Sequence, residues 1–253
     1  MQAARVLYAG IDPSSAQKAF AYGAVDGDLN LVVVSDGELE DVLGWVKENE
    51  VAVVAVNSPS AVNRGVLRDR LRSERSGGRQ IRGADIRLAE YQLRSAGVAV
   101  TGTPGRAELC SPWMQRGFQL YAALGEQGYR RDLDGSSPRL LETHPEACFH
   151  VLLGKNLLPK PTLEGRLQRQ LILHDRGLRI KDPMLFFEEI TRFRLMQGVL
   201  PEELVYRAEY LDVLAAAYTA WLAAHEPHSI SMLGDESEGL VAIPAVYSSG
   251  NGG

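Results

Sequence analysis

Three acidic residues lie at the ends or the starts of apolar segments that are far apart in the chain. Asp12 closes an apolar run, Glu142 ends another, and Asp212 interrupts a third. A carboxylate in an apolar element is costly unless it is paired or binds a metal ion. Ligand sets made of oxygen atoms favour Mg²⁺ or Mn²⁺ over zinc. We therefore expect these three carboxylates to converge on Mg²⁺ or Mn²⁺ and to be catalytic, as in phosphodiester hydrolysis.

Two neighbouring residues extend this candidate site. Asn57 follows the apolar run 51–56, where its amide oxygen could act as a further metal ligand. His144 follows Glu142 by two positions, so the alternation of a strand places both on one face. His144 is therefore a candidate catalytic residue that shuttles a proton, or one that only orients Glu142.

Each residue also has a structural interpretation that remains open. Asp12 can be a turn or cap residue, and Asn57 can form an Asx turn before a helix. Asp212 can pair with an arginine such as Arg207, and Glu209, three positions before it, can lie on the same helical face.

The elements that must position these residues form a mixed pattern. We predict strands over 6–12, 19–25 and 29–35, a helix over 38–49 and a buried strand over 51–56. The 51–56 run is β-branched without alternation, which favours a strand covered on both faces. An antiparallel trio, a helix and then a parallel strand is how the RNase-H-like fold begins. The sequence therefore predicts an α/β protein whose mixed sheet is flanked by helices.

The rest of the chain alternates further helices with one more strand. The predicted strand covers 139–143, and 98–101 is predicted as a short extended piece. The predicted helices cover 84–95, 112–124, 145–153, 162–175, 184–196 and 201–225. We expect one domain over 1–247 with helical insertions at about 60–135 and 160–200, and a disordered tail at 248–253.

Arginines are concentrated between positions 64 and 94. This segment holds nine arginines against four acidic residues, whereas the whole chain has a net charge of −5. The overall charge argues against a general nucleic-acid binder, but the segment could contact phosphates. The residues predicted to bind nucleic acid are Arg64, Arg68, Arg79, Arg82 and Arg87. A solvated helix face is the alternative interpretation.

Composition restricts the compartment and the class of site. The two cysteines, Cys110 and Cys148, are far apart and form no Cys-x-x-Cys motif, which disfavours disulfides and thiolate zinc sites. No apolar window reaches the roughly 18 residues that a membrane-spanning helix needs. We expect a cytoplasmic protein without a membrane partner.

Several motifs together resemble a known family, domain of unknown function 429, a set of predicted nucleases with an RNase-H-like fold. The motifs are Gly-Ile-Asp at 10–12, Ala-Val-Asn-Ser-Pro at 55–59, Glu-Thr-His-Pro-Glu at 142–146, and the apolar stretch at 211–220. Weaker similarity covers 82–85 and 165–169. The resemblance implies that Asp12, Glu142 and Asp212 are the family's acidic positions. Asn57 replaces the family's usual aspartate, which implies one metal ion instead of two, or a weak or inactive enzyme.

Three functions follow from these observations. The first is a metal-dependent nuclease that acts on DNA or RNA. The second is an ATP-binding protein of the actin or sugar-kinase type, in which Ser14 and Ser15 would contact phosphate. The third is a nucleic-acid-binding module that has lost cleavage. The helical segment 160–200 could form a cap over the site or the contact of a homodimer.

Overall fold

The chain folds around one mixed sheet in the computed structural model, which describes residues 5–14, 19–73, 83–131, 138–154, 157–190 and 192–245. The strands are β1 (Leu7–Asp12), β2 (Phe20–Asp26), β3 (Leu31–Gly37), β4 (Val51–Val56), β5 (Arg139–Thr143), β6 (Ile230–Asp235) and β7 (Gly239–Pro244). Their order in the seven-stranded sheet is β3-β2-β1-β4-β5-β7-β6. The predicted α/β class with a mixed sheet is confirmed.

The centre of the sheet is parallel and its edges are antiparallel. β1, β4, β5 and β7 run in one direction, whereas β2, β3 and β6 pair antiparallel to their neighbours. The register aligns Ile11 with Val56 and Val56 with Glu142. The carboxyl ends of β1, β4 and β5 therefore lie side by side, which is the usual place for a ligand in an open α/β sheet.

Helices cover both faces of the sheet. They are α1 (Leu39–Glu48), α2 (Val66–Ser73), α3 (Leu88–Ser95), α4 (Pro112–Glu126), α5 (Pro145–Leu153), α6 (Leu163–Asp175), α7 (Met184–Ile190), α8 (Phe193–Met196) and α9 (Ala208–His225). α1 and α4 contribute to the core on one face, and α3, α5, α6 and α9 to the core on the other. Both sides of β4 are thereby buried, as its continuous apolar run indicates.

Three predicted helices differ from the observed ones by more than one or two residues at an end or by being split. The helix predicted over 84–95 begins only at Leu88, because Arg87 is extended and the backbone N–H of Leu88 donates to Glu238. The segment 184–196 forms two short helices, α7 and α8. The helix predicted over 201–225 begins at Ala208, after a single 3₁₀ turn at Glu202–Leu204.

α2 lies within the helical insertion expected at about 60–135, for which no bounds were predicted. The hairpin of β6 and β7, which completes the sheet beyond β5, was not predicted. The extended piece predicted at 98–101 does not join the sheet. α2, α3 and α4 connect β4 to β5, and α6, α7 and α8 connect α5 to α9. The tail predicted at 248–253 lies outside the described residues.

Within the described ranges, no helix combines the length and the apolar character of a membrane-spanning segment.

Candidate functional site

Close packing of α9 on β1 brings Asp12 and Asp212 together. A Cβ atom at Gly10 would collide with the backbone carbonyl oxygen of Val213, so only glycine permits this approach. Asp12 follows Gly10 by two positions and so lies on the same face of β1, towards α9. Asp212 directly precedes Val213 in the first turns of α9. The end of the strand and the start of the helix thus meet at two carboxylates.

Hydrogen bonds fix the carboxylate of Asp12. Its Oδ1 accepts from the backbone N–H of Ser14 at 2.8 Å and from the Ser14 hydroxyl at 2.5 Å. Its Oδ2 accepts from the side-chain amide of Asn57 at 2.9 Å. Asp12 is 1% exposed. Asn57 therefore acts as a hydrogen-bond donor to Asp12, a role that an aspartate could not fill.

Asp212 is buried and only partly satisfied. The ammonium of Lys160 donates to its Oδ2, whereas its Oδ1 has no hydrogen-bond partner among the described residues. The pKa of Asp212 is raised to about 7, mainly by burial; the charge of Lys160 opposes this rise, and the charge of Asp12 contributes to it. The pKa of Lys160 is raised in turn, because the charges of Asp212 and Asp12 outweigh its own desolvation. The positive charge of Lys160 therefore does not compensate for the burial of the ionised Asp212 carboxylate.

Glu142 lies at the same edge of the sheet but is neutralised by an arginine. The Arg87 guanidinium donates to Oε1 at 2.5 Å and to Oε2 at 3.0 Å, and Oε2 also accepts from the backbone N–H of Ser60 at 2.8 Å. Arg87 also pairs with Glu90 and donates to the carbonyl of Glu238. Burial alone would lower the pKa of Arg87, but the charges of Glu142 and Glu90 raise it well above its usual value.

Among the three predicted metal-binding carboxylates, the described structure pairs only Glu142 with an arginine. Asp12 and Asp212 are neighbours, whereas Glu142 is bound on both oxygens by Arg87. Across the described ranges, no group of three or more His, Cys, Asp or Glu side chains is arranged to hold a metal ion. Mg²⁺ is commonly held by only one or two carboxylates. The donors that fit a single hard cation are the oxygens of Asp12 and the unpartnered oxygen of Asp212.

His144 begins α5 as its N-cap. Its Nδ1 accepts the backbone N–H of Ala147 at 3.2 Å, so the neutral ring carries its proton on Nε2. Burial lowers the pKa of His144, although the charges of Glu146 and Glu142 oppose this. Protonation of Nδ1 would break the cap. His144 is therefore suited to donate a hydrogen bond from Nε2.

The sequence analysis assigned no role to Lys160, Glu146 or Arg169, although the motif at 142–146 and the segment 165–169 contain the last two. Glu146 receives two hydrogen bonds from Arg169, at 2.9 and 2.8 Å, and Arg169 is fully buried. Lys160 lies between Pro159 and Pro161. Prolines on both sides restrict the backbone, and that signal could have identified Lys160 as a positioned residue.

Several of these side chains line one cavity of about 410 Å³, although Asp12 and Arg169 do not. Its wall includes polar residues that follow β1, β4 and β5 or lie at the end of β5, and others from α5, the loop before α6 and α9. They are Ser14, Asn57, Ser58, Glu142, His144, Glu146, Lys160 and Asp212. The volume lies in the range of small-molecule sites.

The arginines predicted to bind nucleic acid have different environments. Arg64 and Arg68 are exposed. Arg87 is 2% exposed, and its guanidinium is occupied by Glu142 and Glu90, so it is not available to a phosphate in this structure. Arg79 and Arg82 lie outside the described residues.

The chain was compared with known proteins. No curated protein and no solved structure matches it. A family model described as "Protein of unknown function (DUF429)" matches residues 10–238, which include Asp12, Asn57, Glu142 and Asp212. The chain therefore belongs to the DUF429 family, as its motifs indicate.

Proposed function

We propose that this protein is a metal-dependent phosphodiesterase with an RNase-H-like fold, which cleaves nucleic acid with one Mg²⁺ or Mn²⁺ ion held by Asp12 and Asp212. The antiparallel trio β1 to β3, followed by α1 and the parallel strand β4, agrees with the expected beginning of that fold. The end of β1 and the start of α9 supply the two carboxylates.

The observation that carries the proposal is the environment of Asp212. This carboxylate is 2% exposed, its Oδ1 lacks a partner within the described part of the chain, and Asp12 adds a second negative charge nearby. A buried charge of this kind is costly without a cation, and strongly shifted carboxylates cluster at functional sites. A divalent ion between the two aspartates would supply the missing charge.

The donor set favours one ion. The amide of Asn57 donates a hydrogen bond to Asp12, whereas an aspartate at position 57 would add a negative charge. The carboxylate of Glu142 is bound by Arg87. When bound, the ion lowers the pKa of a water molecule and neutralises charge on the phosphoryl group. Both contributions are the ones that phosphodiester hydrolysis requires.

Side chains of the protein can donate hydrogen bonds to the phosphate group of the substrate. Lys160 is 40% exposed on its side chain and bonds only one oxygen of Asp212 in the described structure, so it can turn towards a phosphate oxygen. His144 can donate from Nε2 to the same group. Arg169 holds Glu146, which keeps that carboxylate at a fixed place in the cavity wall.

One alternative is disfavoured by the same contacts. An ATP-binding protein of the actin or sugar-kinase type would use the turn after β1 to donate to phosphate. The N–H and the hydroxyl of Ser14 both donate to Asp12 instead, and Ser15 lies outside the described residues.

A cleavage assay with a matched pair of variants tests the proposal. We expect the protein to hydrolyse single-stranded or branched DNA or RNA with Mn²⁺, and Asp212→Asn to lower the rate at least about a hundredfold. Glu209→Gln makes the same chemical change three residues earlier on α9 and is expected to leave the rate unchanged. Undiminished cleavage by Asp212→Asn would overturn the proposal. The proposal would also be overturned if the protein neither cleaved nucleic acid nor bound Mn²⁺. If such a protein still bound nucleic acid, the inactive binding module would be favoured.

A further inference from the structure

Lys160 extends from a loop whose backbone is fixed on α6. The carbonyl oxygen of Pro159 accepts from the backbone N–H and from the hydroxyl of Thr162, at 3.1 and 2.9 Å. A Cβ atom at Gly165 would collide with the same carbonyl, so the first turn of α6 lies directly against the loop. Pro159 and Pro161 further restrict the backbone on both sides of Lys160. The point from which the Lys160 side chain extends is therefore set by the packing of this loop on α6.

Arg169 is a second connection between the loop and α6. Its Nη1 donates to the carbonyl oxygen of Leu158 at 3.0 Å and to that of Gly165 at 2.9 Å. The side-chain oxygen of the neighbouring Gln168 accepts from the backbone N–H of Leu158 at 2.8 Å. Both backbone polar groups of Leu158, two positions before Lys160, are thus bound by side chains of α6.

The other terminal nitrogen of the same guanidinium holds Glu146. The Nη2 atom donates to both oxygens of Glu146, at 2.9 and 2.8 Å. Arg169 is 0% exposed, whereas the side chain of Glu146 is 36% exposed and lines the cavity together with Lys160. One buried arginine therefore supports a carboxylate and the loop of an ammonium in the wall of a single cavity.

We infer that Arg169 is a positioning residue of the site, which fixes the Lys160 loop and the Glu146 carboxylate with one guanidinium. The inference rests on the proposed function, in which Lys160 turns towards the phosphate of the substrate. A planar guanidinium presents its N–H donors in fixed directions, so its two terminal nitrogens set the loop and the carboxylate relative to each other. A lysine at this position has the same charge but lacks this geometry.

The reactivity of Lys160 towards acetic anhydride reports its position without metal or substrate. The native side chain is 40% exposed, and its ammonium donates to Asp212. An opposite charge favours the protonated form of an amine, which does not react with the anhydride. In EDTA we expect Arg169→Met to increase the acetylation rate of Lys160 at least about threefold, measured by mass spectrometry. The rate at Lys181, whose ammonium donates to the carbonyl of Glu203 beside the same helix, should not change.

Two further variants serve as controls. Arg166→Met makes the same chemical change one turn earlier on α6, where the guanidinium donates to Glu202, and should leave the acetylation of Lys160 at the native rate. Arg169→Lys keeps the buried charge but not the fork of the guanidinium, so Lys160 should again react faster than in the native protein. Arg169→Lys also replaces Arg169→Met if the loss of the charge prevents folding.

Cleavage with Mn²⁺ provides the measurement that depends on the proposed function. We expect Arg169→Met to lower kcat about tenfold or more and to change KM little, since misplaced groups slow the chemical step. In a Lys160→Met background the same substitution should have a smaller effect, because the loop no longer carries the ammonium.

Three outcomes would overturn the inference. They are an unchanged acetylation rate of Lys160 in both Arg169 variants, an equal rise at Lys160 and Lys181, and full restoration of the native rate by Arg169→Lys. Failure of the proposed function is distinguishable, because the native protein would then lack cleavage while Arg169→Met still accelerated the acetylation of Lys160. Equal effects of Arg169→Met on cleavage with and without Lys160 would keep the function and remove the positioning role.

Discussion

Replacing Asp212 by asparagine should change how stability depends on pH. Asp212 is 2% exposed, and its pKa is raised from 3.8 to about 7, mainly by burial. Asparagine has nearly the same shape, and it cannot ionise. The variant therefore removes one titration from the folded state and leaves the packing of α9 on β1 intact.

The size of the effect follows from the pKa shift. In the unfolded chain Asp212 loses its proton near pH 3.8, whereas in the folded protein it keeps the proton until about pH 7. The folded state thus binds more protons between these values, so the free energy of unfolding falls as pH rises through this window. A shift of about three pKa units at 1.36 kcal/mol each corresponds to roughly 4 kcal/mol. Above pH 7 the whole penalty is present.

Urea denaturation between pH 4 and pH 8 measures this contribution. We expect wild type and Asp212→Asn to have similar free energies of unfolding at pH 4, and the variant to be more stable by about 4 kcal/mol at pH 8. Glu209→Gln, on the same helix, should follow wild type. The lowered pKa of His144 has the opposite effect, because it makes the free energy of unfolding fall as pH falls. This contribution is the same in both proteins and cancels in the difference between them.

Two results would refute this argument. Parallel pH profiles for wild type and Asp212→Asn would mean that the carboxylate is not desolvated. A variant that is less stable at pH 8 would mean that its ion pair with Lys160 outweighs the cost of burial.

Three further perturbations have defined outcomes. Glu142→Gln should lower the free energy of unfolding by about 3 kcal/mol because it leaves Arg87 partly unpaired in the interior, and a loss below about 1 kcal/mol in urea denaturation would contradict the neutralised pair. Gly10→Ala should destabilise the protein by about 1–3 kcal/mol or more through a clash with Val213, and an unchanged melting temperature would argue against the close contact of α9 and β1. Asn57→Asp should lower stability in EDTA and strengthen Mn²⁺ binding by about tenfold in calorimetry, whereas unchanged affinity would place position 57 outside the ion's surroundings.

Local patterns were sufficient to predict much of the fold. The β-branched run Val51–Val56 and the short run Arg139–Thr143 both form strands with the predicted bounds. Pro145 at the first helical position marks the start of α5, and the side chain of Thr162 caps α6 by accepting from the N–H of Gly165. These signals act within a few residues, so sequence alone carries them.

Long-range partners could not be predicted in the same way. Glu142 binds Arg87, which is 55 residues away and which the sequence suggests as a phosphate ligand. Asp212 pairs with Lys160 from a loop, rather than with Arg207, which bonds Asp36 instead. The residues next to Glu142 and Asp212 in the sequence do not specify which basic side chain the fold will place beside each carboxylate. Of the three carboxylates expected to bind metal, Glu142 is therefore occupied by an arginine, although it lines the same cavity as Asp212.

The hairpin of β6 and β7 was missed for a different reason. The residues of β6 are only partly buried, and they include Gly234 in a backbone conformation that favours glycine. A half-buried edge strand lacks the continuous apolar run that identifies β4. Glu238, between these two strands, is nevertheless fully buried and accepts the backbone N–H groups of Arg64, Val66 and Leu88.

The most direct test of the single-ion site is a crystal structure of the Mn²⁺-soaked protein with anomalous scattering data. We expect one Mn²⁺ ion between the carboxylates of Asp12 and Asp212, with Lys160 displaced from Asp212 and Glu142 still bound to Arg87. An ion ligated by Glu142, two ions, or no anomalous peak beside Asp212 would contradict the account.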